Sequence, residues 1–197
     1  MTELWLVRHG ETEWSLSGRH TGRTDIPLTA HGRERAVELG KFLAETKFAA
    51  VRCSPLRRAR ETCEIAGYGD VAVVDPGLME WDYGVYEGRT SQEIQAEIPG
   101  WSVWKDAIVG GETVEQVGAR ADGVIARALG AAGPVTEDVA RGALFALAHI
   151  LRILAARWIG LEARDGSLFV LGTGSVSVLG WERETRVIER WNRGFEE

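Results

Sequence analysis

The chain reads as an α/β protein, a three-layer α/β/α sandwich around a largely parallel sheet, and three observations carry that reading. Short apolar runs recur at Leu4 to Val7, Ala49 to Cys53, Val71 to Val74, Ala143 to Ala148, Leu168 to Leu171 and Val176 to Leu179. Stretches with helix-start signals separate many of these runs, and strands that alternate with helices favour a parallel sheet covered on both faces. The length of 197 residues, with 45% hydrophobic and 26% charged side chains, suits one domain with a sizeable core, so residues 1–197 are read as a single unit.

The first run, Leu4 to Val7, leads directly into Arg8-His9-Gly10. A strand of this kind delivers its last residues to the edge of a sheet, where loops gather and ligands bind. An imidazole with one ring nitrogen held and the other free is a covalent nucleophile, and a neighbouring guanidinium clamps an anion in two places. Phosphate chemistry is the natural suggestion. The chain continues through Trp14-Ser15 and Gly18-Arg19-His20-Thr21-Gly22-Arg23, a glycine-punctuated loop with several donors able to wrap a small anion.

Thr29 is placed to cap a helix that runs to about Glu45. After the second strand, Ser54-Pro55-Leu56-Arg57-Arg58-Ala59-Arg60 opens another helix, whose N-terminal dipole favours an anion. Thr90 with Glu93, and Thr113 with Gln116, have capping-box spacing at later helix starts. Pro134 to Arg141 reads as a flexible surface loop. Trp158, Trp181 and Trp191 are expected to pack or cover edges, whereas Trp14 and Trp81 lie beside the motifs and are candidates to line a pocket.

Bulk properties narrow the partners. A net charge of −6 argues against nucleic-acid binding, which needs a basic face. No apolar stretch approaches the roughly 20 residues of a membrane span, and no basic start precedes a long apolar core. The expected ligand is a small phosphorylated or otherwise anionic metabolite, with no nucleic acid and no membrane, and the expected location is cytoplasmic. Cys53 and Cys63 fit neither a disulfide framework nor a paired-CxxC metal site and read as buried or semi-buried thiols. No His, Asp and Glu gather at metal spacing, so neither metal nor cofactor is expected; His20 and His31 read as a loop contact and an exposed helix residue. Exposed aromatic side chains are candidates for a homodimer face.

Four ordered blocks, RHGETEW, GRHTGRTDIPLT, SPLRRARET and MEWDYGVYEG, resemble the histidine phosphatase superfamily, which includes the cofactor-dependent phosphoglycerate mutases. The resemblance spans Leu4 to about Asn192. Its wording is most similar to small acid phosphatases and sugar-phosphate phosphatases. It implies a phosphoglycerate mutase-like fold and a phosphomonoesterase in which His9 attacks phosphorus to give a phosphohistidine, with Arg8 and the inward Arg58 as the anion clamp. Glu80 matches the family's acid position; partial desolvation beside Trp81 would raise its pKa and keep it protonated near neutral pH. Asp82 is the competing carboxyl. Gly10 would let backbone and substrate approach closely. Ser15, which replaces an asparagine common in mutases, Thr21, Gly22 and Tyr83 would contact phosphate or substrate.

One block departs from the pattern. Relatives carry a His-Gly pair followed by an arginine five residues after that histidine; anchoring on Arg152 puts Leu147 and Ala148 at the pair. His149 then matches a further histidine found two residues on in the acid-phosphatase group. Three explanations stand: His149 swings into the vacancy, the enzyme is weak or inactive, or the arginine-lined pocket serves another reaction, lyase-like or purely anion-binding. A mutase is disfavoured because only Arg89 and Lys105 are basic between Trp81 and Ala119.

Overall fold

The computed structural model describes residues 2–130 and 140–194. In β1 (Thr2–Arg8), Leu4, Trp5, Leu6 and Val7 are all buried. A strand apolar at four successive positions needs cover on both faces, and β1 obtains it from the middle of the sheet. It pairs in parallel with β4 (Ala140–Ala146) and antiparallel with β5 (Val176–Glu182). β2 (Ala50–Cys53) runs parallel to both β4 and β3 (Ala72–Val74), while β6 (Thr185–Arg193) pairs antiparallel with β5. The order is β3-β2-β4-β1-β5-β6. The sheet is thus mostly parallel and flanked by helices, as the alternation of apolar runs and helix signals predicts.

The helices form where their caps predict. Thr29 accepts from the Gly32 N–H and starts α2 (Ala30–Leu43), after the short α1 (Glu13–Ser17). Ala36, Leu39 and Leu43 make the buried stripe of α2, with Phe42 packed 6.1 Å from Trp5. α3 (Arg57–Ile65) buries Arg58, Ala59, Thr62 and Cys63. Thr90 and Glu93 form the reciprocal cap of α4 (Ser91–Glu97), and Thr113 and Gln116 exchange the same pair of bonds before α5 (Val114–Gly130). α6 (Ala148–Trp158) packs on α5, and α2 packs on α3. Cys53 and Cys63 are both buried and free. No helix among the described residues is long and apolar enough to cross a membrane.

Two strand assignments differ from the sequence reading. Leu168 to Leu171 is not a strand: a 3-10 turn ends at Leu168, and Leu168 and Val170 are exposed. Side chains of β6 take the backbone groups of this stretch in place of a ladder: Trp191 Nε1 donates to the Val170 carbonyl and Asn192 Oδ1 accepts from Gly172 N–H, both at 2.6 Å. The unexpected strand is β6, whose TRVIERWNR sequence carries four charges on an edge with a single neighbour. Such an edge needs no clean apolar alternation, and charge protects it from pairing with other chains. The loop expected at Pro134 to Arg141 lies, up to residue 139, outside the described residues; Ala140 and Arg141 belong to β4.

Because β2, β4 and β1 are neighbours and parallel, the segments leaving their C-terminal ends meet at one edge. Ser54 N–H donates to the Phe145 carbonyl at 2.9 Å and His9 N–H to the Ala146 carbonyl at 3.0 Å. Gly10 is needed here, for a reason other than substrate approach. A Cβ on Gly10 would sit 2.5 Å from the carbonyl oxygen of Gly32, in the first turn of α2. Gly10 N–H also donates to the Thr62 hydroxyl at 3.0 Å, which ties the loop to α3. Gly10→Ala is expected to cost about 1–3 kcal/mol of stability through overpacking, read as a lower urea midpoint at unchanged slope.

Candidate active site

His9 follows the last residue of β1 and is 5% exposed. Its Nδ1 lies 2.6 Å from the Gly10 carbonyl oxygen. A carbonyl only accepts, so Nδ1 carries the proton and donates, leaving Nε2 with its lone pair. Burial, reinforced by the charges of Arg8 and Arg58, holds the ring well below the ordinary histidine range. The imidazole is therefore neutral, in the tautomer a nucleophile requires.

The two predicted clamp residues are placed differently. Arg8 lines a cavity of about 390 Å³ beside His9. Its Nη1 donates to the Leu171 carbonyl, and its buried Nε has no partner among the described residues. Burial pushes Arg8 down to about 10, which leaves it charged at neutral pH. Arg58, 1% exposed, sits behind the cavity wall and donates to the carbonyls of Thr24 at 3.0 Å, Thr21 at 2.8 Å and Gly22 at 3.0 Å. It therefore shapes the loop that carries Thr21, with its Nε likewise buried and without a partner among the described residues. An unpaired N–H on a buried cation is costly, and an anion is its natural complement.

Glu80 is 3% exposed and lines the same cavity. Its Oε1 accepts from the N–H groups of Trp81 and Ile150, and its Oε2 from that of His149, all at 3.0 Å. The last two are first-turn donors of α6, whose N-cap residue, Leu147, has no side-chain acceptor to offer. Glu80 thus caps α6 from a distant segment, a partnership the sequence reading, which pictured a carboxyl beside Trp81 only, did not foresee. Asp82 is occupied elsewhere, accepting from Gly84 N–H at 3.0 Å and lying 3.4 Å from Arg23.

Tyr83 is buried, and its hydroxyl lies 2.7 Å from Nδ1 of His149 on the cavity wall. Ser15 and Thr21 also line the cavity, each hydroxyl already donating locally, to the carbonyls of Thr12 and Arg19. Gly22 does not line it; its N–H donates to Glu87 at 2.8 Å. Trp14 forms part of the wall, whereas Trp81 packs beneath it against Tyr83 and Trp104.

Several wall residues escaped the sequence reading. His20, taken for a loop contact, lines the cavity with its ring 4.9 Å from Tyr83 and 5.4 Å from Trp101. Trp101 and Trp104 follow α4 in irregular chain, where no period marks a facing side. Arg152 lies over the Trp104 ring at 4.6 Å and donates to the Gly166 carbonyl. Its only sequence signal was its offset from the expected His-Gly pair. His31 is exposed on α2, as read, 3.4 Å from Glu11. Among the described residues no group of three or more His, Cys, Asp or Glu could hold a metal ion.

The family profile described as histidine phosphatase superfamily (branch 1) matches residues 4–194. The chain belongs to the histidine phosphatase superfamily. Among its relatives within the superfamily is an acid phosphatase of Mycobacterium tuberculosis, 41% identical over 93% of this chain and 88% of the relative. Another is the sedoheptulose 1,7-bisphosphatase of Saccharomyces cerevisiae, 36% identical over 79% of this chain and 67% of the relative. A solved structure of an open reading frame from Mycobacterium tuberculosis superposes with a TM-score of 0.89 at 37% identity, covering 98% of each chain. The native structure of a mycobacterial glucosyl-3-phosphoglycerate phosphatase does so at 0.86 and 26% identity, covering 99% of this chain and 100% of that one.

This histidine phosphatase keeps three buried, neutral imidazoles at its site. His20 is held below its ordinary range by burial, and His149 well below by burial together with the charges of Arg152 and Arg8. Unfolding restores each to about 6.5, so below that pH the unfolded chain binds more protons than the folded one. Stability is expected to fall as pH drops from about 7 toward 5, by up to about 1.4 kcal/mol per pH unit for each histidine. Urea unfolding across that range measures the slope, which His20→Gln should flatten.

Proposed function

We propose that this protein is a phosphomonoesterase that hydrolyses a small phosphorylated metabolite through a phosphohistidine at His9. The observation that carries the reading is the bond from His9 Nδ1 to the Gly10 carbonyl, which leaves Nε2 unprotonated beside the Arg8 guanidinium. Arg8 and Arg152 line the cavity beside a single carboxyl among the described residues, Glu80, so positive charge is in excess, the balance a phosphate dianion needs.

In the first step Nε2 attacks phosphorus in line while the bond from phosphorus to the leaving oxygen breaks. Glu80, the carboxyl that lines the cavity, gives that oxygen its proton. Water then attacks the phosphohistidine, the P–N bond breaks, and the water proton returns to Glu80. Inorganic phosphate leaves and His9 is neutral again. Relatives named acid phosphatase and sedoheptulose 1,7-bisphosphatase support this class of chemistry.

Leu147 favours a second reading, an anion-binding member whose chemistry has lapsed. It stands where the family resemblance places a histidine, and it is fully buried and apolar. Loss of one donor to a developing oxyanion commonly lowers a rate by about 10² to 10³. Phosphate release from a panel of sugar phosphates, measured beside His9→Ala, separates the two. The phosphatase reading expects release that His9→Ala reduces by at least about 10³-fold, with labelled phosphate trapped on the wild-type protein only. No release from any member of the panel supports the second reading, and release that survives His9→Ala refutes the mechanism.

A further inference from the structure

With Leu147 unable to donate a hydrogen bond, His149 is the imidazole besides His9 and His20 on the cavity wall, and its usefulness depends on which nitrogen carries the proton. Tyr83 faces one of them. Its hydroxyl lies 2.7 Å from Nδ1, and no second acceptor takes the phenolic proton among the described residues. A buried hydroxyl whose proton has no acceptor is costly, so the short contact runs from the phenol O–H to the ring nitrogen. Burial supports the same direction from both sides. It raises Tyr83 well above the ordinary tyrosine range, so the hydroxyl keeps its proton, and lowers His149 well below its own, so Nδ1 keeps its lone pair.

We propose that Tyr83 is a positioning residue: its O–H donates to His149 Nδ1 and thereby fixes the Nε2–H tautomer, leaving a neutral N–H donor on the cavity wall for a phosphoryl oxygen. The ring is held on its other sides as well. Trp104 packs 5.0 Å from it and Trp81 meets it edge-on at 6.1 Å. His149 therefore has little freedom to rotate toward the place of Leu147, and the donor is supplied from where it already stands. This rests on the phosphatase reading for its use in turnover, although the tautomer itself does not.

The test has an arm independent of activity. Long-range proton–nitrogen spectra of the protein carrying ¹⁵N-labelled histidine, with His149 assigned by its loss in His149→Gln, should show the Nε2–H tautomer at neutral pH. Inorganic phosphate should shift that nitrogen. In Tyr83→Phe the Nδ1 signal should move toward a tautomer mixture, with phosphate binding and KM each weakened about tenfold, the worth of one hydrogen bond. His149→Gln, whose amide can donate near the Nε2 position, should retain more activity than His149→Ala. A wild-type ring found as Nδ1–H, or a spectrum unchanged by Tyr83→Phe, overturns the proposal. Absence of any phosphate release with the tautomer as expected refutes the phosphatase reading instead.

Discussion

Parallel pairing of β1 with β4 is the constraint from which the site follows. It sets Arg8 opposite Ala146 in register, so the chain leaving β1 as His9-Gly10 and the chain leaving β4 as Leu147-Ala148-His149 emerge side by side. The nucleophile candidate and the N-terminus of α6 are neighbours for that reason alone. An antiparallel pairing would send the two segments to opposite edges of the sheet, and no choice of side chains could bring them together.

That junction leaves a helix start in need of an acceptor. Leu147 cannot cap, and the partial positive charge of the first turn of α6 is met by Glu80, from a segment nearly seventy positions earlier. The Glu80 segment is itself pinned. Arg120 donates to the carbonyls of Gly77 at 2.8 Å, Met79 at 2.9 Å and Glu80 at 3.3 Å, while its Nε is paired with Glu112. A carboxyl that organises α6 and also lines the cavity ties the order of the scaffold to the order of the site. Substitution there changes both.

Buried charge follows a similar economy. Arg58 is almost fully enclosed and is made tolerable by three loop carbonyls, which in return hold the segment around Thr21 against the cavity. Arg152 is covered by the Trp104 ring, which shields its cationic face without neutralising it. Guanidinium groups suit this use, because their several donors allow some to fix the protein while others stay available for an anion.

Much of this was determined locally and was legible in the sequence. The central strand β1, the caps at Thr29, Thr90 and Thr113, and the Arg8-His9-Gly10 turn each depend on near neighbours, and the ordered motif blocks identified the family. The charged edge strand β6 was not legible, since an edge needs no apolar period, and neither was the exposure of Leu168 and Val170. Only the tertiary structure decided that Gly10 makes room for α2, that Glu80 caps α6, that Arg58 is engaged with a loop, and that His20, Trp101 and Trp104 share a wall with His149. Those relations join residues far apart in the chain, and a hydrogen bond or a ring contact between them has no spacing rule; it exists once the sheet order has put the segments within reach.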